Sequence, residues 1–160
     1  MNATEYVWTE DGTAESSLDA LDGGRKLSVA SASRGTPFNF MMDSKSTSTC
    51  VFFETRIIEV EGSIGVGLVQ RSEFLPGWKL AGMFYNGHNI TNGSEALIIG
   101  YDEDGGKLSA GDTVGVWMKQ EPGDGTTVAF YRNGLCLGKA FHLSTDNTVY
   151  HPCLHVTGRA

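Results

Sequence analysis

The chain has 160 residues and a formal net charge of −7 at pH 7, a length that fits one domain able to bury a core without staples. No basic stripe of the kind a nucleic-acid binder needs is visible in the sequence, and no apolar run approaches the ~18 residues of a membrane-spanning helix. Three scattered cysteines, Cys50, Cys136 and Cys153, are too few for a disulfide framework.

In chain order, residues 1–22 come first, with six acids (Glu5, Glu10, Asp11, Glu15, Asp19 and Asp22) and no Lys or Arg. The remainder is nearly balanced, 12 basic against 13 acidic residues. We read 1–24 as a solvated, partly ordered acidic segment and 25–160 as the folded domain. The start lacks the basic and apolar stretches of a signal peptide, so an intracellular and cytoplasmic setting is expected, with the nucleus left open. The sequons at Asn2, Asn89 and Asn92 are short enough to arise by chance.

Period-2 runs then recur. Lys26-Leu-Ser-Val-Ala-Ser31 puts Leu27 and Val29 on one face. After a loose Ser/Thr stretch at 43–49, Cys50-Val-Phe-Phe-Glu-Thr-Arg-Ile-Ile-Glu-Val60 puts Val51, Phe53, Thr55 and Ile57 on one face and Glu54 and Arg56 on the other. Ser63-Ile-Gly-Val-Gly-Leu68 turns Ile64, Val66 and Leu68 inward, and Gly65 and Gly67 let another backbone or a large ring come close. Thr113-Val-Gly-Val-Trp-Met118 repeats the pattern. Gly/Asp turns separate these runs, and no window of a dozen residues shows a 3.6 period. Many short strands joined in this way indicate an all-β fold, a two-sheet antiparallel sandwich or barrel.

The clearest element is Val128-Ala-Phe-Tyr-Arg-Asn-Gly-Leu-Cys-Leu-Gly-Lys-Ala-Phe141. Asn133-Gly134 predicts a hairpin with a type I′ turn, since both central residues need positive φ. With that turn, Arg132 faces Leu135, Phe130 faces Leu137 and Val128 faces Lys139. Phe130 and Leu137 share one face, and Tyr131 and Cys136 the other. Tyr150-His-Pro-Cys-Leu154 is a further predicted strand.

Taken in order, these segments resemble the SPRY domain family over roughly residues 50–156. Val51-Phe-Phe-Glu-Thr-Arg-Ile57, Ser63-Ile-Gly-Val-Gly-Leu68, Pro76-Gly-Trp78 with Phe84-Tyr-Asn-Gly87, Ala110-Gly-Asp-Thr-Val-Gly-Val116, the 130–141 hairpin and Tyr150-His-Pro-Cys-Leu154 each resemble a family segment. The resemblance implies a concanavalin-like sandwich, or jelly roll, and a non-catalytic module that binds a short peptide or a protein surface through loops at one end. Two features depart from the pattern. Lys119 stands where the family has Asp, and the strand expected after the Tyr150 segment has no counterpart in the sequence. Tyr6-Val-Trp8 is a candidate to pair at that edge.

No residue set argues for catalysis, a cofactor or a metal. His151 and His155 lie four apart, but in a strand that is about 13 Å, too far to share an ion. The turn at Asp102 has Gly106 and Lys107 where an EF-hand needs an oxygen ligand and Gly. Glu59 and Glu61 are scattered carboxylates rather than an acid–base pair.

The candidate ligand-binding residues are therefore Arg34, Phe74, Leu75, Trp78, Tyr85, Asn86 and His88, on one rim formed by the loops around 33–35, 71–78 and 85–89. Phe74 and Leu75 either plug the end of the sandwich or form a binding patch. Trp78 matches a family position that is usually buried, which argues for a plug. Tyr85, Asn86 and His88 suit recognition of a peptide backbone, although Asn86-Gly87 also reads as turn chemistry. The isolated domain is expected to be monomeric, with a protein or peptide partner and no contact with nucleic acid or membrane. The rivals are a lectin-like carbohydrate-binding sandwich and a purely structural domain of a larger protein.

Overall fold

A computed structural model describes residues 7–11, 16–21, 26–31, 36–43, 49–92, 96–98, 106–144 and 147–160. Its strands are β1 (Trp8–Glu10), β2 (Ser16–Leu21), β3 (Lys26–Ser31), β4 (Phe38–Met42), β5 (Cys50–Arg56), β6 (Glu61–Gln70), β7 (Gly82–Tyr85), β8 (Asn89–Thr91), β9 (Ala96–Ile98), β10 (Thr113–Glu121), β11 (Gly125–Arg132), β12 (Leu135–Leu143) and β13 (Tyr150–Arg159). Among the described residues the helices are two single 3₁₀ turns, Arg71–Glu73 and Gly77–Lys79, and no helix is long and apolar enough to cross a membrane.

Two antiparallel sheets form a sandwich. The larger runs β1-β4-β13-β6-β7-β8-β9, with β3 joining the end of β13 and β2 flanking β3. The smaller runs β12-β11-β10-β5. Alternation places Phe38, Phe40, Val66, Leu68, Tyr85, Leu154 and Val156 of the large sheet against Val114, Val116, Val128 and Phe130 of the small one. Each such side chain contributes roughly 1.5–3 kcal/mol by leaving water. The expected inward residues of the 26–31, 63–68 and 113–118 runs, such as Val29, Ile64 and Met118, belong to this core.

The hairpin differs from its sequence-derived register. Arg132 does pair with Leu135 and Tyr131 with Cys136, and the turn residue Asn133 has φ 51°. Beyond that, Ala129 pairs with Lys139 and Val128 with Phe141, so the expected pairs Phe130–Leu137 and Val128–Lys139 do not form. Two extra residues in β12 are absorbed as bulges. Gly138, at φ 100°, takes the positive φ that a bulge of this kind needs. The shift carries Phe141 into the core opposite Val128.

The last strand also differs from expectation. β13 continues through Arg159 and is interior, paired with β4 on one side and with the whole of β6 on the other. The large sheet therefore lacks no strand at that position. Trp8 lies on β1, opposite Met42, and Tyr6 is outside the described residues. The turn at 101–105, most of the Ser/Thr stretch (44–48) and the sequon residue Asn2 are likewise outside them.

Candidate functional site

The outer face of the large sheet is not left to solvent. The loop 71–81, which joins β6 to β7, folds back across it. Beneath the loop lies a second apolar cluster, Met41, Val69, Phe84 and Cys153, with Phe74 and Leu80 packed against it. Burial pushes the Cys153 thiol up, which makes it an inert packing group. At the loop's start Arg71 pairs with Asp43, which also accepts a hydrogen bond from Thr9 Oγ1 at 2.7 Å. The Arg71 bond, then the Thr9 bond, hold the Asp43 carboxyl below its usual range.

Asn39 is the main fastening. It is fully buried, on the outward phase of β4. Its Nδ2 donates to the carbonyls of Leu75 (2.9 Å) and Gly77 (3.0 Å). Those two bonds fix the amide orientation, so Oδ1 is the acceptor at 2.7 Å from His155 Nδ1. His155 must then carry its proton on Nδ1, which leaves Nε2 as an acceptor on the neutral ring. Asp11 completes the set by accepting from the backbone N–H groups of Asn39 (3.1 Å) and Gly77 (3.2 Å). Burial pushes the pKa of His155 down to about 4 against an opposing pull from Asp11. The ring is neutral at pH 7.

On this platform sits Trp78. Its ring meets that of His155 edge-on, with centroids 5.3 Å apart, and Phe84 flanks His155 at 5.8 Å. Trp78 is 70% exposed and Leu75 44%. The plug expected for Trp78 is therefore corrected. The residue that closes the loop's underside is Phe74, and Trp78 lies on top. Its place follows from the Asn39 bonds, which seat Gly77 on the sheet and leave the next side chain facing out.

Tyr85 is also corrected. It is 2% exposed, on the inward phase of β7, with its ring near Phe130. Its hydroxyl lies 3.5 Å from the Gly87 carbonyl, so it is a core residue rather than a loop contact. Asn86 Oδ1 accepts from the N–H groups of His88 (2.9 Å) and Asn89 (2.8 Å), which is turn chemistry. Asn86 and His88 line a recess of about 310 Å³ with Gly62, Ser63, Lys107 and Thr157. His155 pairs with Gly65, and the recess begins at the next residue, Ile64, and runs along β6 to Gly62, about 3 to 10 Å away. The structure thus brings Phe74, Leu75 and Trp78 together and sets Asn86 and His88 in a neighbouring patch. Arg34 lies outside the described residues.

Sequence reasoning missed Asn39, Asp11 and His155 as parts of this face. His151 and His155 both point to it, yet each is committed separately, His151 Nδ1 lying 3.0 Å from the Met42 carbonyl. Among the described residues no three His, Cys, Asp or Glu side chains gather as metal ligands. At the other end of the sandwich, Asp112 ties the hairpin down. It takes hydrogen bonds from Ser109 N (2.9 Å), Asn133 Nδ2 (2.9 Å) and Arg132 (3.0 Å). Burial raises its carboxyl, but those bonds and the Arg132 charge outweigh it and leave its pKa lowered.

A scan against models of known protein families finds no match, and a search of curated proteins finds none. Solved structures do match. A human SPRY domain superposes with a TM-score of 0.63 at 20% identity, over 82% of this chain and 85% of that one. The SPRY domain of human HERC1 gives 0.61 at 14% identity, over 91% and 90%. A carbohydrate-binding module, CBM66 from Bacillus subtilis, gives 0.55 at 14% identity, over 99% and 91%. At such identities the likeness is one of fold, and the fold of this chain is a SPRY-like β-sandwich.

Proposed function

We propose that this chain is a non-enzymatic interaction module that binds a short peptide or a protein surface on the outer face of its large sheet. Trp78 and Leu75 are the apolar anchors, and His155 Nε2 is an acceptor beside them. The carrying observation is an indole 70% exposed on a loop that Asn39 and Asp11 hold in place. An exposed tryptophan on a fixed support fits an interface anchor, because it adds contact area without ordering a mobile loop. The SPRY-like fold is consistent with such a role. Three free thiols suit a reducing intracellular setting. Relative to the rim expected from sequence, the site loses Tyr85 and centres on Trp78, with Asn86 and His88 at its margin.

The test is affinity capture with mass spectrometry, comparing wild type with a Leu75→Ser/Trp78→Ala variant. We expect the variant to fold and to lose the captured partner. A folded variant that retains the same partner at the same yield overturns the site. Carbohydrate binding is the second reading, because the same exposed indole offers a flat apolar face to a sugar ring. A competable hit on a glycan array, lost in Trp78→Ala, would select it.

A further inference from the structure

β5 is an edge strand of the small sheet, and among the described residues nothing pairs with its far side. The phase of its backbone is fixed at both ends. Ile57 N donates to the Asp112 carbonyl (2.9 Å), and Gln120 N donates to the Thr49 carbonyl (2.7 Å). Odd-numbered residues thus bond toward β10. An antiparallel ladder alternates with period two, so the N–H and C=O groups of Phe52, Glu54 and Arg56 point into the open side.

Natural edges are usually blunted by shortness, Pro, Lys or bulges. β1, β9 and β12 follow that rule. β1 and β9 have three residues each. β12 is bulged twice. β2, Ser-Ser-Leu-Asp-Ala-Leu, has no β-branched or aromatic residue. β5, Cys-Val-Phe-Phe-Glu-Thr-Arg, has seven residues, no Pro, Gly or Lys, and an unbroken register with β10.

The strand is also complementary to itself. Turned about a two-fold axis at Thr55, it meets a second copy with Glu54 opposite Arg56 and Arg56 opposite Glu54, all on the outer face. Ile58 lies in a bend beyond β5, so the paired stretch is Glu54–Arg56 of each copy. Neighbouring in-phase axes do worse. An axis at Glu54 or at Arg56 opposes like charges, and one at Phe53 sets Glu54 against Phe52.

We propose that two copies of this chain associate by antiparallel pairing of β5 with β5 about Thr55, joining their small sheets into one of eight strands. The contact is isologous and closed. It departs from the monomer expected from sequence and leaves the Trp78 face free. One strand pair buries little area, so the dimer is weak and concentration-dependent.

Sedimentation velocity on the whole chain, from about 1 to about 500 µM, tests this across the range expected of weak association. Circular dichroism confirms folding, which the exposure of Glu54 and Arg56 favours. Wild type should pass from monomer to dimer. Glu54→Arg and Arg56→Glu should each weaken association at least about tenfold, since like charges then face each other twice. The double variant should recover it. An equimolar mixture of the two single variants should also dimerise, because the introduced arginine then faces the introduced glutamate. A wild type monomeric throughout, a dimer indifferent to both single reversals, or no recovery in the double variant and the mixture each overturns the proposal.

Discussion

Lowering the pH should remove a defined part of this protein's stability through His155. In the folded protein its ring lies between Trp78 and Phe84 with Nδ1 donating to Asn39, and burial lowers its pKa from 6.5 to about 4. The unfolded chain takes up the proton near 6.5, whereas the folded one does so only near 4. Between those values the unfolded state binds more protons, so stability falls as pH falls and levels off for this group below about 4. At about 1.4 kcal/mol per pH unit the full loss is about 3 kcal/mol, as an upper bound. Urea unfolding at several pH values, on wild type and His155→Gln, measures it. Glutamine retains a donor toward Asn39 but does not titrate. Asp43 and Asp112, whose carboxyls are held low, lose their contribution only below the usual carboxylate range, and they do so in both proteins. Wild type should therefore lose about 3 kcal/mol more than the variant between pH 7 and 4. Parallel profiles would refute the reasoning.

Three further outcomes follow from the packing. Asn39→Ala leaves two loop carbonyls and the His155 donor without their partner and should cost about 2–4 kcal/mol; denaturant unfolding measures this, and hydrogen exchange should show faster exchange confined first to the 71–81 loop. Gly67→Ala should abolish folding, because the added Cβ would lie 1.8 Å from the Met83 carbonyl oxygen and force β6 and β7 apart; a well-dispersed NMR spectrum would contradict it. Asp112→Ala leaves Arg132 and Asn133 without their carboxylate and should cost about 2–4 kcal/mol in thermal or denaturant unfolding.

Elements with one face on the core and one in solvent were legible in the sequence. β5 alternates exposed and half-buried residues along its whole length; β6 is buried on both faces from Ile64 to Val69 and was legible only because Gly65 and Gly67 alternate with Ile64, Val66 and Leu68. The hairpin was legible at its turn, where Asn133-Gly134 sets Arg132 against Leu135. It failed at Gly138, because a bulge depends on packing several residues away from the turn. β4 was missed for a different reason. Phe38, Asn39, Phe40 and Met41 are all buried, since the 71–81 loop covers the face that would otherwise be polar, and period two vanishes from the sequence. The same loop explains why the candidate site was only half legible. That Phe74, Leu75 and Trp78 form an apolar loop is local information. Which of them faces water depends on Asn39, roughly 40 residues earlier, and on His155, 116 residues from Asn39.

The interior position of β13 sets an order of events at the ribosome. β4 and β6 are made early, yet their shared neighbour is residues 150–159. Until those residues emerge, both strands stand as open edges carrying Phe38, Phe40, Val66 and Leu68. The small sheet, whose four strands are complete by residue 143, can assemble first. Pairings of such long sequence separation form slowly, and the growing chain spends that interval with its most adhesive surfaces uncovered. We expect a nascent chain stalled before residue 150 to recruit chaperones more strongly than one released past 159, a difference that crosslinking on stalled ribosomes would show.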